Sequence, residues 1–328
     1  QGKVEVTIYT DMKEGWFKCP VVVADIKGAQ EPERFVLVHG HYDSWDFGIG
    51  DNAVGDATLL ELARIFNKHK DRLARSVKIA WWPGHSTGRY AGSTWFADTF
   101  GLELARNCIA QVDIDSPGCR WATEYYDVSW MTETDDFCVQ AIKDVTGKDA
   151  QGERPHQAGD YSFNNIGISG FFMLLSAIPK QQLKELDYYP VGGCGSNIAW
   201  HTENDTLEIA DKDNLMRDLR VYVATIERVL NNPLHPFNFR KLAAEFGDTL
   251  KRYSDAAGDE VNFSPAFDAL ADLTTALNRL YTTTGDLMNR PVTDPGVRAY
   301  NDAIIELGRE LILINYTREG RFRTEPAI

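Results

Sequence analysis

The rhythm of apolar and polar positions changes once along this chain. From Val4 to about Leu230, short apolar runs rich in β-formers alternate with segments of helical periodicity; past Asn231-Asn232-Pro233 only the helical rhythm remains. VEVTIYT, PVVVADIKG, RFVLVHGHYDS, VKIAWWPG, CIAQVDIDSPG and SGFFMLLS read as strands. Several are apolar throughout, as strands covered on both faces are. Between them, Leu59, Leu60, Leu62, Ala63 and Phe66 recur at helical spacing from Ala53 to Lys70, and Asp213 to Leu230 repeats that spacing. The pattern predicts an α/β domain over residues 1–232, a mostly parallel twisted sheet with helices on both faces. Three amphipathic segments, near Phe239–Ala257, Pro265–Thr284 and Asp294–Leu313, predict a helical bundle over 233–328. There is no internal repeat or low-complexity tract.

Composition narrows the function classes. With 43% hydrophobic and 25% charged residues in 328, the chain is globular. A formal net charge of −14 argues against a nucleic-acid partner, since a phosphate backbone calls for a basic face. No apolar run approaches the roughly 18 residues a membrane span needs. Five widely spaced cysteines without a CxxC pair signal neither a disulfide framework nor a zinc knuckle, and free thiols favour the cytoplasm. The chain opens at Gln1 instead of Met, so upstream sequence is expected to be missing.

Chemistry collects where the strands end, the edge at which open α/β sheets place ligands. His41 and Asp43 sit two apart after RFVLV and project the same way; a carboxylate beside an imidazole can orient it as a metal ligand. A glycine-rich turn then brings Asp51 round before a helix. Asp113 and Asp115 close CIAQVDID, and His201 lies in the Gly-rich GGCGSNIAWHTENDT, four residues before Asp205. A histidine alone in a loop is ordinarily a solvated residue, and Asp113 and Asp115 next to Pro117-Gly118 could simply form a turn. Four such groups in order, each at a strand end, suit zinc or another borderline divalent ion.

On these residues the chain resembles the zinc aminopeptidase and carboxypeptidase family that includes glutamate carboxypeptidase and the transferrin receptor. The matching stretches are His41-Tyr42-Asp43, Asp51-Asn52-Ala53-Val54-Gly55, the loop ending Gly92-Ser93, Asp113-Ile114-Asp115, GDYSFNNIGISG from Gly159 to Gly170, and His201 with Asp205-Thr206. The resemblance implies His41 and Asp115 on one metal, Asp51 bridging two, His201 on the second, and Asp43 as the partner of His41. It implies a metal-dependent hydrolase of a peptide or amide bond in a small substrate, with two zinc ions, or one. HPFNFRKLAAEF and VRAYNDAIIELGREL…NYTREGRFRTEP resemble the helical dimerisation region of the transferrin-receptor branch, which implies a homodimer. In relatives a protease-associated domain often precedes or interrupts the region before VEVTIYT, and its absence here suggests a shortened chain.

The chain departs from the family in VKIAWWPGHSTGRYAGS. Where the family carries a Glu-Glu pair, a general base and a metal ligand, this chain has His85-Ser86, and no carboxylate lies between Lys78 and Asp98. Either His85 ligates the second metal and proton transfer falls to Glu203 or a water, or His85 is itself the base. The ligand role is the expectation, because serine is a poor zinc ligand. Arg89 and Tyr90 follow in the same loop, where a guanidinium suits a substrate carboxylate; with Tyr161 they are expected to contact substrate. The alternative is a catalytically inactive homologue that serves as a binding or structural dimer.

Overall fold

The structure is a computed structural model that describes residues 3–15, 18–159, 161–318 and 320–321. Five strands form the main sheet: β1 (Val22–Ile26), β2 (Glu31–His41), β3 (Arg75–Trp82), β4 (Cys108–Asp113) and, after two short strands set elsewhere, β7 (Ser169–Phe171). The order is β1-β3-β2-β4-β7, parallel throughout except for β1, which runs antiparallel to β3 at the edge. The chain leaves β2 by α1 (Val54–Lys68) for β3 on one side, then by α2 (Ala91–Asn107) for β4 on the other. Strand order therefore reverses around β2, and the crevice at its carboxyl end is the natural ligand position.

Alternation along the strands decides which helices cover which face. Val36 and Val38 of β2, with Val77 and Ile79 of β3, point into one apolar cluster with Leu59, Leu62 and Phe66 of α1. Phe35, Leu37, Ala80 and Trp82 point the other way, against Phe96, Ala97 and Leu104 of α2. Each fully buried side chain of this size contributes about 1.5–3 kcal/mol. α6 (Lys212–Asn231), capped by the Asp211 carboxylate, lies on the α1 face and adds Val221, Tyr222 and Ile226 to the first cluster.

Around this sheet sit α3 (Asp135–Thr146), flanked by the parallel pair β5 (Tyr125–Ser129) and β6 (Ala150–Glu153), and the short α4 (Tyr161–Asn164) and α5 (Lys180–Glu185). The helices that follow residue 233 are α7 (Phe239–Ala257), α8 (Ser264–Thr282) and α9 (Pro295–Tyr316). Phe239, Leu242, Val297, Ile304 and Ile312 from them belong to the same apolar cluster as α1 and α6. Two buried arginines fasten this region. Arg75 binds Glu31 at 2.9 Å and donates to the carbonyls of Asn232 and Pro233 at 2.8 and 3.1 Å, so the Asn-Asn-Pro junction is clamped. Arg309 of α9 donates to the carbonyls of Ala105, Gly167, Leu104 and Cys108, tying α9 to the α2–β4 corner.

One expected strand is absent. VEVTIYT has no regular structure, and Val4, Val6 and Ile8 are exposed. Its alternation is strand-like, but among the described residues no strand pairs with it, and a lone extended segment gives its backbone groups to water. All of FRTEP, Glu319 before it and Asp160 within Gly159–Gly170 lie outside the described residues. Among the described residues no helix is long and apolar enough to cross a membrane.

Glu133, between β5 and α3, is buried, and desolvation drives its pKa up to about 7 from an ordinary 4.5, with Ser169 and its own backbone amide offsetting only part. Between about pH 4.5 and 7 the unfolded chain releases this proton while the folded chain keeps it, so stability falls as pH rises through that window and then levels off. Glu133→Gln is expected to be near neutral at pH 4 and to stabilise by about 1–3 kcal/mol at pH 8. Urea unfolding at the two pH values checks this; a gain of equal size at both would refute it.

Candidate metal centre

The site forms at the carboxyl end of β2. His41 is the last residue of that strand, paired in register with Trp82. Its Nδ1 donates to the backbone carbonyl of Asp43 at 2.9 Å, which leaves Nε2 facing inward. Nε2 lies 3.0 Å from Asp51 Oδ1 and 3.4 Å from Asp115 Oδ2. The second oxygen of Asp51 lies 2.8 Å from His201 Nε2. One carboxylate thus reaches two imidazoles, His41 and His201, delivered by segments 160 residues apart.

Holding Asp51 there takes three devices. Gly48 turns the chain at φ +60°, where a Cβ would sit 2.2 Å from Ser44 Cβ and 2.6 Å from the Asp51 carbonyl. The Asp205 carboxylate accepts from the amides of Gly50 and Asp51 at 2.7 and 3.0 Å. Asn52, joined to Asp51 by a cis peptide bond, donates from Nδ2 to the Ile114 carbonyl at 2.8 Å and accepts from Ser116 N at 3.0 Å. That fastens the loop to the segment carrying Asp115. Asn52 and Asp205 were visible in the sequence as parts of motifs, but nothing there showed what they hold.

The remaining expected residues divide. His85 stacks on His41, ring centroids 4.0 Å apart and planes 8° from parallel, with its Nε2 4.0 Å from Asp115 Oδ2. It gathers with His41 and Asp115, whose ligand atoms and its own all lie within 4.8 Å of one another. The sequence expects His85 beside His201 on a second metal; the structure stacks its ring on His41. Asp43 is close to His41, yet its carboxylate is 3.8 Å from Nδ1 and accepts instead from the amides of His85, Ser86 and Thr87 at 2.9–3.2 Å. Three amides satisfy a carboxylate better than one ring nitrogen, so Asp43 shapes the 85–87 loop, and its backbone orients His41. Asp113 lies 3.3 Å from Nδ1 of the buried His39. Arg89 and Tyr90 line the cleft beside the site. Tyr161 does not; it packs edge-on to Tyr316 of α9. Glu203 is exposed and outside the cleft lining.

The electrostatics are those of a place for a cation. His41 Nε2 and Asp51 Oδ1 are both buried and, although 3.0 Å apart, neither makes a hydrogen bond. Orphaned buried polar atoms are rare, and a metal ion between two such atoms satisfies both. Burial by itself would lower the pKa of His41, but the Asp115 and Asp51 carboxylates overcome it and hold the imidazole well above its ordinary value. Asp51 is held below the carboxylate range: burial opposes this, and the His201 and His41 imidazoles beside it outweigh it. Burial, then the neighbouring Asp51 charge, raises Asp115. His85 is pushed down to about 3 by burial and by the charge on His41, so it presents a neutral ring. The imidazoles and carboxylates fit a borderline divalent ion.

A sheet covered on both faces, with imidazoles and carboxylates converging at its carboxyl edge, is the arrangement of a metal-binding α/β protein. More narrowly, the chain belongs to peptidase family M28, whose profile matches residues 21–226. It is 24% identical over 269 residues to a probable glutamate carboxypeptidase, VP8, of Zea mays, covering 76% of this chain and 36% of that protein. The chain thus spans about a third of the length of that relative. Among solved structures it resembles BSAP, a zinc aminopeptidase from Bacillus subtilis, with a TM-score of 0.53 and 19% identity over 64% of this chain and 50% of that one. It also resembles a Porphyromonas gingivalis glutaminyl cyclase, with a TM-score of 0.50 and 16% identity over 63% of this chain and 77% of that one. At such identities the likeness shows the fold.

Asp51→Asn is expected to abolish retention of divalent metal, to under about a tenth of wild type after dialysis, by removing the charge shared between two imidazoles. Asp205→Asn, which removes a charge from the support of the Gly50-Asp51 amides, is expected to weaken metal affinity about 10–100-fold. Elemental analysis and competition with a chelating dye measure both, with circular dichroism confirming the fold.

Proposed function

We propose that this protein is a metal-dependent hydrolase of a peptide or amide bond in a small substrate, working with zinc held in a variant centre. The observation that carries the reading is the pair of buried, unbonded atoms His41 Nε2 and Asp51 Oδ1, 3.0 Å apart beside a cleft of about 450 Å³ that Asp51 lines. That volume suits a small molecule. His41, Asp115 and His85 would hold one ion, Asp51 would bridge, and His201 would serve a second. Bound zinc supplies a Lewis acid and an acidified water at this position. Asp43 fixes both the His41 ring, through its carbonyl, and the loop that carries His85, through its carboxylate. In the reaction the water oxygen joins the acyl carbon, the C–N bond breaks and the leaving nitrogen takes a proton. Glu203, exposed and outside the cleft, has no part in this scheme.

The helices beyond residue 233, which share the apolar cluster of α1 and α6, are read as the region through which two copies associate. Supporting this, Tyr253, Val261 and Phe267 stay exposed along α7, α8 and their connection. Light scattering on the purified chain is expected to give twice the monomer mass.

Chelation is expected to abolish hydrolysis of an amide and dipeptide panel, and added zinc to restore it. His85→Ala separates the two roles open to that residue. A ligand role predicts the loss of about one zinc equivalent together with activity; unchanged zinc content with kcat down about 10²–10³-fold would move His85 to proton transfer. Metal bound stoichiometrically with no turnover anywhere in the panel would sink the hydrolase reading.

A further inference from the structure

Behind the imidazole and carboxylate of the candidate centre lies a second such pair. His39 and Asp113 come two residues before His41 and Asp115 and pair with each other across the β2–β4 register, so strand alternation sets them one layer back on the same faces. Gln111 Oε1 meets His39 Nε2 at 2.7 Å, and His39 Nδ1 lies 3.3 Å from Asp113 Oδ1. The imidazole packs against the Trp82 and Phe163 rings, at 4.6 and 5.0 Å, and both members of the pair are buried.

One oxygen of this back layer is left over. Asp113 Oδ2 is buried and makes no hydrogen bond, a cost to the fold unless a donor serves it. His85 stands where a donor is wanted. A Cβ built on Gly159 would lie 3.2 Å from His85 Nδ1 and 3.5 Å from Asp113 Oδ2, so both atoms border one small space over bare backbone. At another edge of the same ring Nε2 lies 4.0 Å from Asp115 Oδ2, in the front layer. His85 therefore links the two layers, Nδ1 toward the back one and Nε2 toward the metal-binding groups.

Packing fixes where that ring lies, not which way round it sits. His41 stacks on its face, and the Tyr90 ring meets it at 70°; both are contacts of shape. A half-turn about the Cβ–Cγ bond keeps the shape and exchanges each ring nitrogen for a carbon. Only a polar partner at the ring edge tells the two orientations apart. An imidazole that ligates through Nε2 is neutral and carries its one proton on Nδ1, and a carboxylate is the usual acceptor for that N–H.

We infer that Asp113 is the positioning residue of His85: its free oxygen accepts the hydrogen bond of Nδ1–H, directly or through one water over Gly159, and so holds Nε2 out to the metal. The inference deepens the ligand role given to His85 in the hydrolase reading and rests on it, but its tests read the ring and the metal, not turnover.

Nitrogen NMR of the histidine-labelled full chain, with zinc and without, is expected to find the His85 proton on Nδ1. Asp113→Asn is expected to weaken zinc affinity about 10–100-fold in competition with a chelating dye. In a chain that already carries His85→Ala, where Asp113 has no ring to hold, the same change is expected to alter the affinity for the remaining zinc less than about twofold. A merely structural Asp113 would cost the same in both backgrounds. Should circular dichroism show Asp113→Asn unfolded, Gly159→Ala crowds the space between the two atoms instead, and is expected to lower zinc affinity at least about threefold with His85 present and not in its absence. These results in a chain that hydrolyses nothing would uphold the inference and defeat only the hydrolase reading. A proton on Nε2, an equal loss with and without His85, or no loss at all would overturn it.

Discussion

Everything at the centre depends on where one carboxylate is held. Asp51 is buried, negatively charged and divided between two imidazoles. In a medium of low dielectric such a charge is costly unless countered, and the chain spends much of its local structure on countering and fixing it. The left-handed glycine before it, the Asp205 carboxylate behind its amide and the Asn52 side chain reaching across to Ile114 and Ser116 all serve to place that single group. The sheet contributes the platform: parallel β2, β3 and β4 end together, so His41, the 85–87 loop and Asp115 arrive at one edge.

The same reasoning explains how a family site accommodates a changed loop. A glutamate pair would bring two negative charges near Asp51 and Asp115; this chain has a neutral ring stacked on His41 and a serine. The ring fits because Asp43 draws three successive amides of the loop onto its carboxylate, which leaves His85 no latitude.

Elements with a strong period were legible in the sequence, and those without were not. The apolar strands at Val36, Val77 and Val112 and the helices at α1, α6, α7, α8 and α9 follow directly from spacing. By contrast α2 carries Gly92 and Gly101 and bends at Phe100, so its stripe is faint, and β6, AQGE, is too short and polar to register. VEVTIYT misled for the opposite reason: alternation states a preference, and a strand also needs a neighbour. At the site, the residue types named their own chemistry, and the sequence brought His41, Asp51, Asp115 and His201 forward as a group. It could not show which neighbour each side chain chooses. Asp43 prefers amides to an imidazole, Asp113 prefers His39, and Tyr161 turns to Tyr316; those choices follow from distances that only folding sets.

The anchoring of α9 has a consequence for how this protein can vary. Arg309 grips its surroundings wholly through main-chain oxygens, at Leu104, Ala105, Cys108 and Gly167. Because every residue type supplies that acceptor, the corner it holds can change its side chains freely without loosening the grip, provided the local path of the chain is kept. Divergence in that corner is thereby decoupled from the docking of the last helix: one arginine must stay, and its partners are at liberty to drift.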